Sequence, residues 1–252
     1  MHADAAADIA PALLVRARSP TPAEVGTVPW LPCLLPADRD AVIADLCVAP
    51  VRAGERVCRI GGKARFWLGV VDGMLMATNG DAGGPMTSFT GLSAGSWFGE
   101  GTLLRGERWR YDVLALRPGT VAGIGSRLFA ELLDRSVAFN RYLMNQLNER
   151  LAQFIEAREI DRLADAEIRI ARSLAAMFNP VLHPHARHAL PITQQQLACL
   201  VGLSRQSANQ ALGVLQAAQL LRVEYGRIRV LDLDRLRRYP EPHTPRPLCT
   251  LP

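Results

Sequence analysis

Residues 137–163 run for 27 positions without a glycine or a proline. Either residue would break a helix, so their absence predicts one long helix there. Met144, Leu147, Leu151 and Phe154 recur at 3–4–3 spacing, the apolar seam of a coiled coil. The seam is short, because Arg158 takes its next position. Leu143 and Ile155 give the helix a second apolar side, expected to face the preceding part of the chain. A seam plus a packed face predicts a helix that joins two copies of the chain. The plainer reading packs the helix only within its own chain.

Between residues 51 and 124 the pattern changes. Short β-prone runs at 56–60, 66–71, 74–77, 96–99, 111–116 and 120–124 alternate with glycine turns. Many short strands at even spacing predict a β-roll, barrel or sandwich. The stretch 100–110 interrupts the strands and is expected to be too polar for core. Residues 37–47 read as a short helix with Val42, Ile43 and Leu46 on one stripe, and 128–133 as another.

The ends carry no such periods. Residues 1–35, rich in Ala and Pro, are expected to form a disordered arm with a short helix over 10–18. Residues 240–252 hold five prolines and are expected to be a disordered tail. No window of about 18 apolar residues exists, so no membrane span is expected. Asp4 and Asp8 stand where a secretory leader would be basic and then apolar, which predicts a cytoplasmic protein. Cys33, Cys47, Cys58, Cys199 and Cys249 form no CxxC pair, so free thiols are expected.

Residues 190–221, LPITQQQLACLVGLSRQSANQALGVLQAAQLL, are the most informative part. Thr193 with Gln196 makes a capping box for a helix whose apolar face is Leu197, Leu200 and Val201. Gly202 permits a tight turn. Ser204 caps a second helix with Ala208, Leu212 and Leu215 inward. Two short helices around a glycine turn predict a helix-turn-helix. Arg205, Gln206, Asn209 and Gln210 point outward from the start of the second helix, and none is acidic. Residues 221–230 read as a two-stranded wing around Tyr225-Gly226, with Arg222, Arg227 and Arg229 placed for phosphate contact. Before it, 165–178 reads as a helix capped by Asp165, with Ile170, Leu174, Met177 and Phe178 apolar.

Charge agrees with this reading. Net charge is +5, and residues 165–252 hold 11 Arg against 6 Asp and Glu, while residues 1–164 balance. A basic module beside a neutral one predicts polyanion binding joined to another task. His183, His185 and His188 lie in a loop expected to be solvated rather than metal-binding. No nucleophile–base pair suggests an enzyme.

In this order the parts resemble the CRP/FNR family of bacterial transcription regulators over residues 36–238. VRAGERVCRIGGKARFWLGVVDGMLM and GSWFGEGTLLRGERWRYDV resemble its cyclic-nucleotide-binding β-roll, and ITQQQLACLVGLSRQSANQAL resembles its DNA-reading head. The resemblance implies an α+β fold. It divides into a disordered arm (1–35), a β-roll sensor (36–135), a dimerisation helix (136–163), a winged helix-turn-helix (164–239) and a disordered tail (240–252). It implies a homodimer on an inverted-repeat operator in double-stranded DNA, with RNA polymerase as a further partner. The implied DNA contacts are Thr193, Gln194, Ser204, Arg205, Gln206, Asn209, Gln210 and Arg227. Arg205 matches the family's guanine-reading Arg, whereas Gln206 replaces a common Glu and Gln210 a common second Arg.

The implied effector site is Gly99, Glu100, Arg110, Tyr111 and Phe154, with Glu accepting from ribose hydroxyls and Arg pairing with a cyclic phosphate. Tyr111 replaces a small hydroxyl residue there, and Asp112 adds a carboxylate. Phe154 and Ile155 replace the hydroxyls that meet the purine. Cyclic AMP is therefore not the expected effector. The pocket is left to another small molecule or to nothing, and Glu100–Arg110 to a plain ion pair. A rival function, from another class, is a cyclic-nucleotide-responsive regulatory subunit acting through protein–protein contacts.

Overall fold

The computed structural model describes Leu13, residues 15–79 and residues 87–240. Near the start are α1 (Pro22–Val25), a 3-10 turn (Leu31–Cys33) and α2 (Pro36–Asp45). Eight strands follow: β1 (Cys47–Val51), β2 (Arg56–Cys58), β3 (Phe66–Asp72), β4 (Met74–Asn79), β5 (Thr87–Ser93), β6 (Trp97–Phe98), β7 (Asp112–Ala115) and β8 (Gly119–Gly125). α3 (Glu100–Leu104) lies between β6 and β7. The strands form two four-stranded antiparallel sheets, ordered β1-β8-β3-β6 and β2-β7-β4-β5.

The period of two decides what lies between and outside the sheets. Val51, Val57, Val70, Leu75, Phe98, Val113 and Val121 share a buried cluster. Trp67 belongs to a different cluster, with helix residues. There Trp30, Trp67 and Trp97 meet with ring centroids 4.7–5.1 Å apart, and Phe139 stands 5.5 Å from Trp30 and Trp67. Gly69 leaves room for this, since a Cβ there would come within 2.4 Å of the Trp97 ring.

This cluster corrects the expected disordered arm. Trp30 is fully buried, and Val28, Leu31 and Leu34 are buried with it. Residues 15–35 carry too little periodicity to advertise a helix, yet one large aromatic ring supplies more burial than a stripe of small residues. Thr21 and Glu24 form a complete capping box on α1. Residues 1–12 and Leu14 lie outside the described residues, and with them most of the helix expected over 10–18. The tail beyond Pro240, with Cys249, lies outside them too. Cys33, Cys47, Cys58 and Cys199 are free thiols. Among the described residues no helix is long and apolar enough to cross a membrane.

α4 (Ser126–Arg135) and α5 (Val137–Ile160) come next. Phe139, Leu143 and Gln146 are the buried face of α5 toward the roll. Ile155 does not join them, being 57% exposed. The seam stands out on the other side: Met144 is 61%, Leu151 59% and Phe154 49% exposed. Leu147 is half-buried.

The C-terminal unit comprises α6 (Ala166–Ala176), β9 (Ala189–Leu190), α7 (Gln194–Val201), α8 (Arg205–Ala217), β10 (Leu221–Glu224), β11 (Arg227–Val230) and α9 (Leu233–Arg237). Asp165 is the N-cap of α6, without a side-chain bond. Ile170, Leu174, Leu190, Leu197, Leu212, Leu215 and Ile228 make one core, and Met74 of β4 enters it from the roll. Side-chain bonds complete the docking of the two units. Ser88 Oγ donates to Cys199 O at 2.7 Å, and Gln196 Nε2 donates to Leu116 O at 3.1 Å.

The expected solvated histidine loop is also corrected. His183 is only 3% exposed, and its Nδ1 meets Ser96 Oγ at 2.9 Å and Ser93 Oγ at 3.2 Å. The neighbouring His185 and His188 are exposed. The local sequence is polar, but its first ring is claimed by two serines of the roll. No cluster of three potential metal ligands occurs among the described residues.

Candidate nucleic-acid interface and ligand pocket

The head is built by short-range chemistry. Thr193 Oγ1 accepts from Gln196 N at 3.2 Å, and Gln196 Oε1 accepts from Thr193 N at 2.9 Å, which closes the capping box at the start of α7. Gly202 ends α7 at φ +68°, a left-handed cap that residues with a Cβ rarely adopt. Ser204 Oγ accepts from Ser207 N at 3.0 Å and starts α8. Ala208, Ala211, Leu212 and Leu215 bury one face of α8. Arg205, Gln206, Asn209 and Gln210 are exposed on the other, as expected from the sequence.

Beside that face lies a groove of about 380 Å³, with Thr193, Gln194, Arg205 and Arg227 among its lining residues. Its far wall is the β10–β11 wing, paired Leu221↔Val230 to Glu224↔Arg227. Four of the expected DNA residues thus share one concave surface. The other four, Ser204, Gln206, Asn209 and Gln210, lie along the first turns of α8 beside it. The sequence reading missed Glu224. It pairs with both Arg227 and Arg229 and its own pKa is lowered by them, Arg229 contributing most. Two wing cations therefore share one anion.

The second site lies where β6, α3 and α5 meet. Gly99 turns at φ +93°, and a Cβ there would come within 2.4 Å of the Trp109 ring, so only glycine fits. The turn swings Glu100 inward to 2% exposure. A cavity of about 280 Å³ follows, lined in part by Gly99, Glu100, Arg110, Tyr111, Leu147 and Arg150. Glu100 Oε2 is buried without a hydrogen-bond partner and belongs to a cavity-lining residue.

The expected Glu100–Arg110 pair is replaced by two others. Arg150 Nε donates to Glu100 Oε1 at 3.0 Å. Arg110 instead pairs with Glu107 at 2.9 Å and is mostly exposed. A guanidinium on α5, half-buried beside the carboxylate, outcompetes one that can remain hydrated. Gln146 Nε2 and Arg150 Nη2 also both donate to the Trp97 carbonyl, at 3.1 and 2.9 Å. Arg150 is fifty residues from Glu100, beyond the reach of any local motif.

Two further expectations change. Asp112 does not face the cavity: it accepts from Ile60 N at 2.7 Å and pairs with Arg56 at 3.3 Å. The period of two along β7 turns it away from Tyr111. Phe154 is not among the residues of this cavity and lines a separate cleft of about 400 Å³ with Phe89 and Leu200. Tyr111 does line the site, and burial pushes its phenol well above the ordinary value, keeping it protonated.

Comparisons with known proteins match both halves. The chain matches the cyclic nucleotide-binding domain over residues 49–136 and the Crp-like helix-turn-helix domain over residues 168–239. It is 28% identical, over 64% of its length and 78% of the relative's, to the cAMP-activated global transcriptional regulator CRP of Pasteurella multocida. Its fold is like that of FixK2 from Bradyrhizobium japonicum, at TM-score 0.63 and 17% identity, covering 75% of this chain and 94% of that one. It is also like a CRP/FNR-family transcriptional regulator from Thermus thermophilus, at TM-score 0.54 and 24% identity, covering 75% and 96%. A nucleotide-pocket fold and a Crp-like head on one chain, in that order, place the protein in the CRP/FNR family of transcription regulators.

Proposed function

We propose that the protein is a homodimeric regulator that reads an inverted repeat in double-stranded DNA with α8 of each subunit. The observation that carries this is the acid-free, exposed face of Arg205, Gln206, Asn209 and Gln210 beside the wing groove. Arg suits guanine and the amides suit adenine in the major groove. Thr193, Gln194, Ser204 and Arg227 supply backbone contacts around them. Met144, Leu151 and Phe154, exposed along α5, form the seam between copies. Two-fold symmetry then sets half-sites about one helical turn apart. The family resemblance adds the cytoplasm as location and RNA polymerase as a partner.

The effector reading is that the roll pocket takes a small molecule other than cyclic AMP, or none. Tyr111 supports it, since it does not offer the small hydroxyl that a cyclic nucleotide meets, whereas Phe154 lies outside the pocket and gives no support. Asp112 gives it no support, because that carboxylate pairs with Arg56 instead.

The test combines light scattering with binding to duplex libraries at low salt. A dimer that selects an inverted repeat, and a Leu151→Glu variant that is monomeric and binds weakly, are the expected results. A monomeric wild type, or indifference to every duplex, overturns the reading. Calorimetry with cyclic AMP tests the effector, and micromolar binding would overturn that part alone.

A further inference from the structure

The roll has a second cavity, on the side of the sandwich where the edge strands β1 and β2 approach. It holds about 50 Å³ and is walled by Val57, Leu68, Trp109 and Val121. These side chains belong to the core between the sheets or pack against it, so the cavity is an unfilled end of that core. Its walls are apolar, and a void lined this way stays dry until an apolar group fills it.

The mouth has opposite character. Arg59, Lys63 and Arg65 are among its lining residues, and among the described residues no acidic side chain lines it. Lys63 is the only lysine of the chain and is exposed. The opening is partly covered by Leu13 and Ala17. That segment is held in place by the Arg16–Glu55 ion pair and by backbone bonds between Arg18 and Val48, at 2.9 Å in both directions. This cavity shares no lining residue with the one at Glu100 and Arg150.

We propose that this cavity is a ligand site for a short-chain carboxylate. The alkyl part lies against Val57, Leu68 and Val121, and the carboxylate stays at the mouth with Lys63. Size sets the chain length: about 50 Å³ gives room for roughly three or four heavy atoms. That is a butanoate-sized tail. Polarity sets the sign: a cationic rim over an apolar slot favours an anion with an apolar end over a cation, an alcohol or a fully hydrated anion. A nucleotide is too large and too polar for the slot. The site is independent of the DNA reading, because none of its lining residues belongs to the head.

The experiment is calorimetry on the full chain with butanoate, acetate, butan-1-ol and sulfate, backed by thermal shifts. Butanoate should bind at millimolar concentration or below, roughly tenfold tighter than acetate, because two more methylenes leave water. Butan-1-ol and sulfate should bind more weakly than butanoate, each lacking one half of the recognition. Lys63→Glu should weaken butanoate roughly tenfold by reversing one charge at the mouth. Ala49→Leu, which fills the slot, should remove butanoate binding, with folding checked by circular dichroism. Absence of butanoate binding, acetate or sulfate binding as tightly, or a Lys63→Glu variant with unchanged affinity overturns the proposal.

Discussion

Arg117, between β7 and β8, donates from Nη1 to the backbone carbonyl of Gly226 in the wing turn, at 2.9 Å. The roll thus holds the tip of the DNA-reading head, and Gln196–Leu116 and Ser88–Cys199 hold its first helix. Arg117→Ala is expected to cost about 1–2 kcal/mol of stability. It should also speed amide exchange in β10 and β11 more than in the sheets of the roll. Exchange that is unchanged in the wing would contradict this tie.

The Glu100–Arg150 pair makes a second prediction. Glu100 is buried, and removing its cation leaves an uncompensated charge. Arg150→Ala should cost about 3–5 kcal/mol in denaturant unfolding. Adding Glu100→Gln should recover part of that loss, because the stranded charge goes with it. A double variant as unstable as the sum of both singles would show that the two side chains do not interact.

His183 predicts a pH dependence. Burial first, and the charge of Arg150 second, hold its pKa at about 3. An unfolded histidine titrates near about 6.5. Between those values the unfolded chain binds a proton that the fold refuses, so stability falls as pH falls. The slope is up to about 1.4 kcal/mol per pH unit, and it vanishes above about pH 7. His183→Gln should flatten this part of the curve, read from unfolding midpoints at pH 7, 6 and 5. A wild-type and variant pair with parallel curves would rule out His183 as the source.

Arg205 and Arg227 are expected to differ in kind. Arg205→Ala should lose roughly 1–3 kcal/mol and relax one base position, measured across variant half-sites. Arg227→Ala should weaken all sequences and lower the salt slope by about one. Glu224→Gln releases both wing arginines from their shared anion. It should tighten binding to every duplex, and weaker binding would mean that Glu224 instead positions those cations.

The head was legible because its determinants are local: a capping box spans three residues, and Gly202 and Ser204 mark the turn within two. Strands β3, β4 and β8 were legible from apolar runs between glycines. β1 was not, because Pro50 lies within it, tolerated on an edge strand. β5 was not either, since TSFTGLS is polar at most positions. Trp30 and Arg150 escaped notice, and His183 was read as solvated, for one reason. Their partners are 37, 50 and 87 residues away or more, and only the packed chain brings them together.

The aromatic cluster around Trp30 has a mechanical consequence. Phe139 and Leu143 fix the first half of α5 against Trp67 and Trp97, and Gln146 and Arg150 bolt the next turn to the Trp97 carbonyl. Beyond Arg150 the helix continues to Ile160 with exposed Leu151, Phe154 and Ile155, about 15 Å at 1.5 Å per residue. That distal length is a lever, and Arg150 is its fulcrum. Its far end meets the head, where Gln153 Nε2 donates to Ala176 O at 3.4 Å, so a disturbance at Glu100 is expected to pass along this helix toward the head.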